Sequence, residues 1–170
     1  LLKLAERKGT YIFLDIGTNT EVYISKNGEI FAASTASGPA FEGGHIKHGM
    51  KAFEGAIDHV TIDPETLDPE ISVIGNILPA GICGSGIIDA IAEMLKAKII
   101  DHTGKFTIKN HKRIRYYYSE GYAYILAFKN ETSIGEDIVI TQKDIREVQK
   151  AKAAIQTAYK ILSSKLGVSR

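Results

Sequence analysis

Thr10-Tyr11-Ile12-Phe13-Leu14-Asp15-Ile16-Gly17-Thr18-Asn19-Thr20-Glu21 decides the fold, because in it an apolar strand runs into a glycine turn crowded with small polar side chains. Tyr11 to Leu14 are β-formers, and Val22, Tyr23 and Ile24 resume the pattern beyond the turn. That spacing predicts a hairpin whose first strand ends at Asp15. Gly17 has no Cβ to hold a ligand off the backbone, and Thr18, Asn19 and Thr20 bring hydroxyl and amide donors to one spot. A cluster of donors with a carboxylate at its base suits a polyphosphate with Mg²⁺, Asp15 holding the metal or its waters. The same residues also suit a plain hairpin turn, which favours Gly, Thr and Asn on conformational grounds.

Outward from that turn, composition removes several classes. The chain has 170 residues, enough to bury a core, and its 21 basic and 20 acidic residues leave a net charge of +1. No overall field draws it to nucleic acid or a membrane surface. The basic run Lys109, His111, Lys112, Arg113, Arg115, followed by Tyr116, Tyr117 and Tyr118, reads as a solvated strand edge in preference to an RNA patch. One cysteine, Cys83, permits neither an internal disulfide nor a cysteine-held iron–sulfur cluster, which fits a reducing cytoplasm. No apolar run approaches the roughly 18 to 20 residues of a membrane span. The chain opens without methionine and closes at Leu166-Gly167-Val168-Ser169-Arg170, from which we expect 1–170 to be a single lobe excised from a longer protein.

Past the hairpin, Asn27-Gly28 predicts a tight turn into a third antiparallel strand, Glu29 to Thr35. Ala33 to Gly44 is small and polar around Phe41, a composition that lets backbone approach a ligand closely with Glu42 as an acid within reach of it; a surface loop is the alternative. His45 and His48 have no third ligand spaced beside them, so no metal is assigned there. Val60 to Ile62 and Ile71 to Ile74 predict a second hairpin. Pro79 to Leu95 is a glycine turn, Gly84-Ser85-Gly86, feeding a helix with Ile87, Ile88, Ile91, Met94 and Leu95 on its apolar side. Its first amides suit an anion, but the glycines equally suit close packing on a sheet. Residues 106 to 129 read as strand, as does Ile138 to Ile140. Thr141 and Asp144 then form a capping pair for a long helix carrying Val148, Ala151, Ile155, Ala158, Leu162 and Leu166 on one stripe.

Four stretches together resemble one family: DIGTNTE at 15–21, TASGPAFEGG at 35–44, GICGSGIID at 81–89 and ITQKDIREVQKAKAAI at 140–155. They are similar to the C-terminal, actin-like (ASKHA) ATPase domain of the reductive activators of corrinoid proteins, a ferredoxin-like iron–sulfur protein family. The resemblance implies an α/β, ribonuclease H-like, actin-like ATPase lobe with a mixed sheet, antiparallel β-hairpins and packed helices. Within that fold it makes this chain the second of two lobes that close on ATP.

By the same resemblance, Asp15, Gly17, Thr18, Asn19 and Thr20 go to phosphate and Mg²⁺, with Asp15 the metal ligand. Asp15 and Glu42 become the candidate catalytic acids. Ser37 and Gly38 become neighbours of the phosphate, Gly84, Ser85 and Gly86 further candidates for it, and Gln149 and Lys152 contacts for adenosine. The implied cofactors are ATP and Mg²⁺ in the intact protein, with a 2Fe–2S cluster in a separate domain. The implied partners are a corrinoid protein, reduced from Co(II) to Co(I), and the first ATPase lobe and ferredoxin-like domain of the same polypeptide; a homodimer is compatible with this. Two other readings stay open, a docking module for the corrinoid protein without catalysis and a lobe of a sugar or acyl kinase.

Overall fold

The predicted hairpin forms in the computed structural model, which describes residues 3–168. Strands β1 (Thr10–Asp15) and β2 (Thr20–Lys26) pair antiparallel from Thr10↔Lys26 to Asp15↔Glu21. Strand β3 (Glu29–Thr35) follows through Asn27 (φ 50°) and Gly28 (φ 91°), the two left-handed residues that a tight hairpin turn requires. The chain divides into two compact units, Leu1–Pro39 with Gln149–Arg170, and Ala40–Val148. Leu1, Leu2, Ser169 and Arg170, the ends of the expected 1–170 lobe, lie outside the described residues.

In the first unit, Val22 and Ile24 project from one face of β2 and are wholly buried against Ala158, Leu162 and Leu166 at the end of helix α2 (Gln142–Lys165). This is the stripe the helical spacing predicts. Every residue of β1, by contrast, is exposed: Ile12 keeps 51% of its surface and Leu14 39%, although they face the same way as Ile24 and Val22. An apolar run forms the strand and is only partly covered: the Phe13 ring lies 5.7 Å from that of Tyr23, and the Arg7 guanidinium 5.6 Å over Tyr11.

The second unit carries the second predicted hairpin, β4 (Ala56–Ile62) with β5 (Pro69–Val73), and a short β6 (Gly81–Ile82) parallel to β4, so this sheet is mixed. Helix α1 (Gly84–Lys96) packs on β4. Its buried stripe is Gly86, Ile87, Ala90 and Met94, while Ile88 and Leu95 are each 47% exposed. The expected apolar side is therefore corrected: small residues at 86 and 90 let the helix lie close to β4, and that turns Ile88 and Leu95 outward.

Strands β7 (Ile114–Tyr117), β8 (Gly121–Ala127) and β9 (Ile138–Thr141) form an antiparallel meander. The strand expected from 106 begins only at Ile114, and the preceding basic run is not simply a solvated edge. Lys112 Nζ and Arg113 Nε both donate to Asp68, at 2.8 and 2.7 Å, and the Arg113 guanidinium lies 4.6 Å over the Phe128 ring. Helix α2 begins with the predicted cap, Asp144 N–H donating to Thr141 Oγ1 (3.1 Å) and Thr141 N–H to Asp144 Oδ2 (2.8 Å). Among the described residues no helix is long and apolar enough to cross a membrane.

Candidate functional site

Asp15 is the last residue of β1 and is exposed. The hairpin register sets Glu21 directly opposite it, and Glu21 accepts a hydrogen bond from Ser34 Oγ (2.9 Å). Two carboxylates opposed across strands repel, and a divalent cation between them would relieve that repulsion. Beyond Asp15 the turn is graded: Gly17 is half-buried, Thr18 and Asn19 are exposed, and Thr20 has no exposed surface.

The segment after β3 comes back to this turn. Ser37, 6% exposed, places its Oγ 2.8 Å from the Gly17 carbonyl and 2.7 Å from Thr20 Oγ1. Gly38 N–H donates to the Thr18 carbonyl (2.9 Å). Gly38 sits at φ 79° with no atom within 4 Å of where a Cβ would stand, so backbone conformation and not space calls for glycine there. The fold thus gathers Asp15, Gly17, Thr18, Asn19, Thr20, Ser37 and Gly38. Gln149, half-buried, and the exposed Lys152 lie in the same unit, three residues apart on α2.

Glu42 and Gly84 to Gly86 belong to the second unit. Glu42 ends a 3₁₀ turn, Pro39–Glu42, and lines a 360 Å³ cavity with Lys51, Cys83 and Ser85. A Cβ on Gly84 would stand 2.0 Å from the Phe41 carbonyl oxygen, and one on Gly86 2.3 Å from that of Ile57. These contacts give the close-packing reading of this glycine turn a structural cause. Cys83, buried, aims its thiol at the Ile57 carbonyl (3.4 Å). In the same unit Asp144 is buried: desolvation holds its carboxyl above the ordinary aspartate range, against the opposing hydrogen bonds from the backbone of Thr141 and Lys47.

Sequence reasoning missed Glu21 as the partner of Asp15. The signal was present, since Glu21 directly follows the turn, but the register that opposes the two was needed to use it. It also made Thr20 a ligand donor and Ser37 a neighbour of the phosphate, where the structure joins their hydroxyls to each other. Among the described residues no group of three or more His, Cys, Asp or Glu comes together to hold a metal.

The family whose model matches residues 9–170 is described as the C-terminal domain of RACo, the ASKHA domain. This chain belongs to that family. Its α/β, actin-like fold is therefore the one the motifs implied. It is 37% identical to the corrinoid activation enzyme RamQ of Eubacterium limosum, over 99% of this chain and 29% of that protein. It is 32% identical to the [Co(II) methylated amine-specific corrinoid protein] reductase of Methanosarcina barkeri, over 91% of this chain and 28% of that one. A solved structure titled "Reductive activator for corrinoid,iron-sulfur protein" superposes with a TM-score of 0.90 at 40% identity, over 98% of this chain and 26% of its own. The chain thus spans less than a third of the length of the relatives it matches.

Proposed function

We propose that this chain is the second lobe of the ATPase domain of an ATP-dependent reductive activator of corrinoid proteins, and that its 15–20 turn holds nucleotide phosphate with Mg²⁺. The observation that carries the reading is Asp15, an exposed carboxylate faced by Glu21 at the foot of a turn whose Thr18 and Asn19 are exposed. These residues fit Mg²⁺, which takes one or two carboxylates and completes its shell with water and phosphate oxygens instead of an all-protein cage. Bound there, the ion would neutralise charge on the β- and γ-phosphates. Asp15 holds the ion or its waters, and the donors of Thr18 and Asn19 take phosphate oxygens. Gln149 and Lys152 are the proposed contacts to adenosine, and Glu42 is a second candidate acid.

The names of the relatives support a corrinoid protein as partner. Reduction of its Co(II) to Co(I) runs uphill, and nucleotide drives it to the extent that it stabilises a conformation with differential affinity for the oxidised and reduced partner. The test uses the intact protein with a corrinoid protein and a reductant, followed by the visible spectrum of the cobalt. Co(I) should accumulate only with Mg·ATP, and Asp15→Asn should remove that dependence. Equal Co(I) without ATP would refute the reading, and a phosphorylated small molecule formed from ATP would favour a kinase.

A further inference from the structure

We infer that Thr20 and Ser37 are positioning residues: their buried hydroxyls fix the peptide planes that aim the Thr18 and Asn19 amides at the anion. The inference rests on the phosphate reading above and assigns these two side chains a different task from the donors beside them.

The hydrogen-bond directions follow from counting protons. The Gly17 carbonyl can only accept, so Ser37 Oγ, at 2.8 Å, spends its one proton there. Thr20 Oγ1, 2.7 Å from Ser37 Oγ, must then donate to it, since its own distance to the Gly17 carbonyl is 3.5 Å, at the limit of a hydrogen bond. With 0% and 6% exposure, neither hydroxyl reaches water or a ligand in quantity.

The consequence for the backbone is geometric. The Gly17 carbonyl points toward Ser37, and in a trans peptide the Thr18 N–H on the same plane points the opposite way. The Thr18 carbonyl points toward Gly38 N–H, so the Asn19 N–H is also turned away from the 37–38 segment. Along a strand successive carbonyls alternate in direction; here two in a row face inward and two amides in a row face out, the arrangement that makes a concave anion site. Thr20 and Ser37 act on phosphate through that orientation, without touching it.

The experiment measures binding of Mg·ATP, Mg·ADP and adenosine to the intact protein by calorimetry, with Ser37→Ala, Thr20→Val and the conservative Thr20→Ser, alongside Asp15→Asn. Backbone amide NMR signals of Thr18 and Asn19 are recorded without nucleotide. The clamp predicts that Ser37→Ala weakens ATP and ADP about tenfold, the effect of freeing the buried Gly17 carbonyl, and that Thr20→Val, which leaves that bond and removes only the donor to Ser37 Oγ, weakens them by less, with adenosine unchanged and Thr20→Ser behaving as wild type. The two amide signals should shift in Ser37→Ala. An equal loss for adenosine and ATP would mean a merely structural role and overturns the inference. So does unchanged ATP affinity in folded Ser37→Ala when Asp15→Asn does weaken it, an outcome that leaves the phosphate reading standing. If the wild-type protein binds no nucleotide, the phosphate reading and this inference both fall.

Discussion

Gly86→Ala separates packing from ligand binding in the glycine turn before α1. In an ordinary helix the change to alanine is favourable by about 0.8–1.0 kcal/mol. Here the added Cβ would stand 2.3 Å from the Ile57 carbonyl oxygen and 2.9 Å from Ile82 Cγ1. Ile57 has no exposed surface, and its carbonyl already accepts from Cys83 N–H at 3.0 Å, so retreat of β4 strains that bond as well. An overpacking cost of about 1–3 kcal/mol, with about 1 kcal/mol for the strained hydrogen bond, outweighs the propensity gain and leaves a net loss of about 1–3 kcal/mol. Urea unfolding followed by circular dichroism should show a lower midpoint at an unchanged slope. Gly135→Ala serves as the comparison: nothing lies within 4 Å of its Cβ position, and only its φ of 69° opposes the change, for a cost of about 1 kcal/mol. If Gly86→Ala is as stable as wild type or more so, the close-packing account of this turn is wrong.

Two further predictions concern buried polar groups of the second unit. Tyr124 is wholly buried and its hydroxyl donates to the Leu67 carbonyl at 2.8 Å, so Tyr124→Phe should cost about 1–2 kcal/mol in the same unfolding assay, and no loss would contradict that bond. Burial raises the Asp144 pKa above its ordinary 3.8, so between 3.8 and that raised value the folded chain binds more protons than the unfolded one. The contribution of Asp144 to stability therefore falls as pH rises through this window and is constant above it. Asp144→Asn should flatten that part of the stability–pH curve, whereas an unchanged slope would place the titration elsewhere.

What the sequence made legible was local. The Asn27-Gly28 turn, the β4–β5 hairpin and the Thr141–Asp144 cap each depend on residues within a few positions of one another, and each formed as spacing predicts. The motifs at 15–21 and 35–44 were legible as candidate ligand loops, but their mutual contact, Thr20 with Ser37, joins residues 17 apart through hydroxyls that either sequence context would leave free. Arg113 looked like one of a row of solvated charges because its partner, Asp68, lies 45 positions away. The α1 stripe misled for a related reason: periodicity weighs large apolar residues, while Gly86 and Ala90 set the contact by being small. β1 shows the limit from the other side, since Tyr11, Ile12, Phe13 and Leu14 give a strand without saying what covers it.

Asp15 and its turn, on the reading proposed above, bind the phosphates of a magnesium-bound nucleotide. Calorimetry of Mg·ATP with the intact protein, wild type against Asp15→Asn, tests it most directly. Binding should depend on magnesium, and Asp15→Asn should weaken it by about ten- to a hundredfold, as expected for losing one charge-assisted contact. Equal affinity for the two proteins would contradict it.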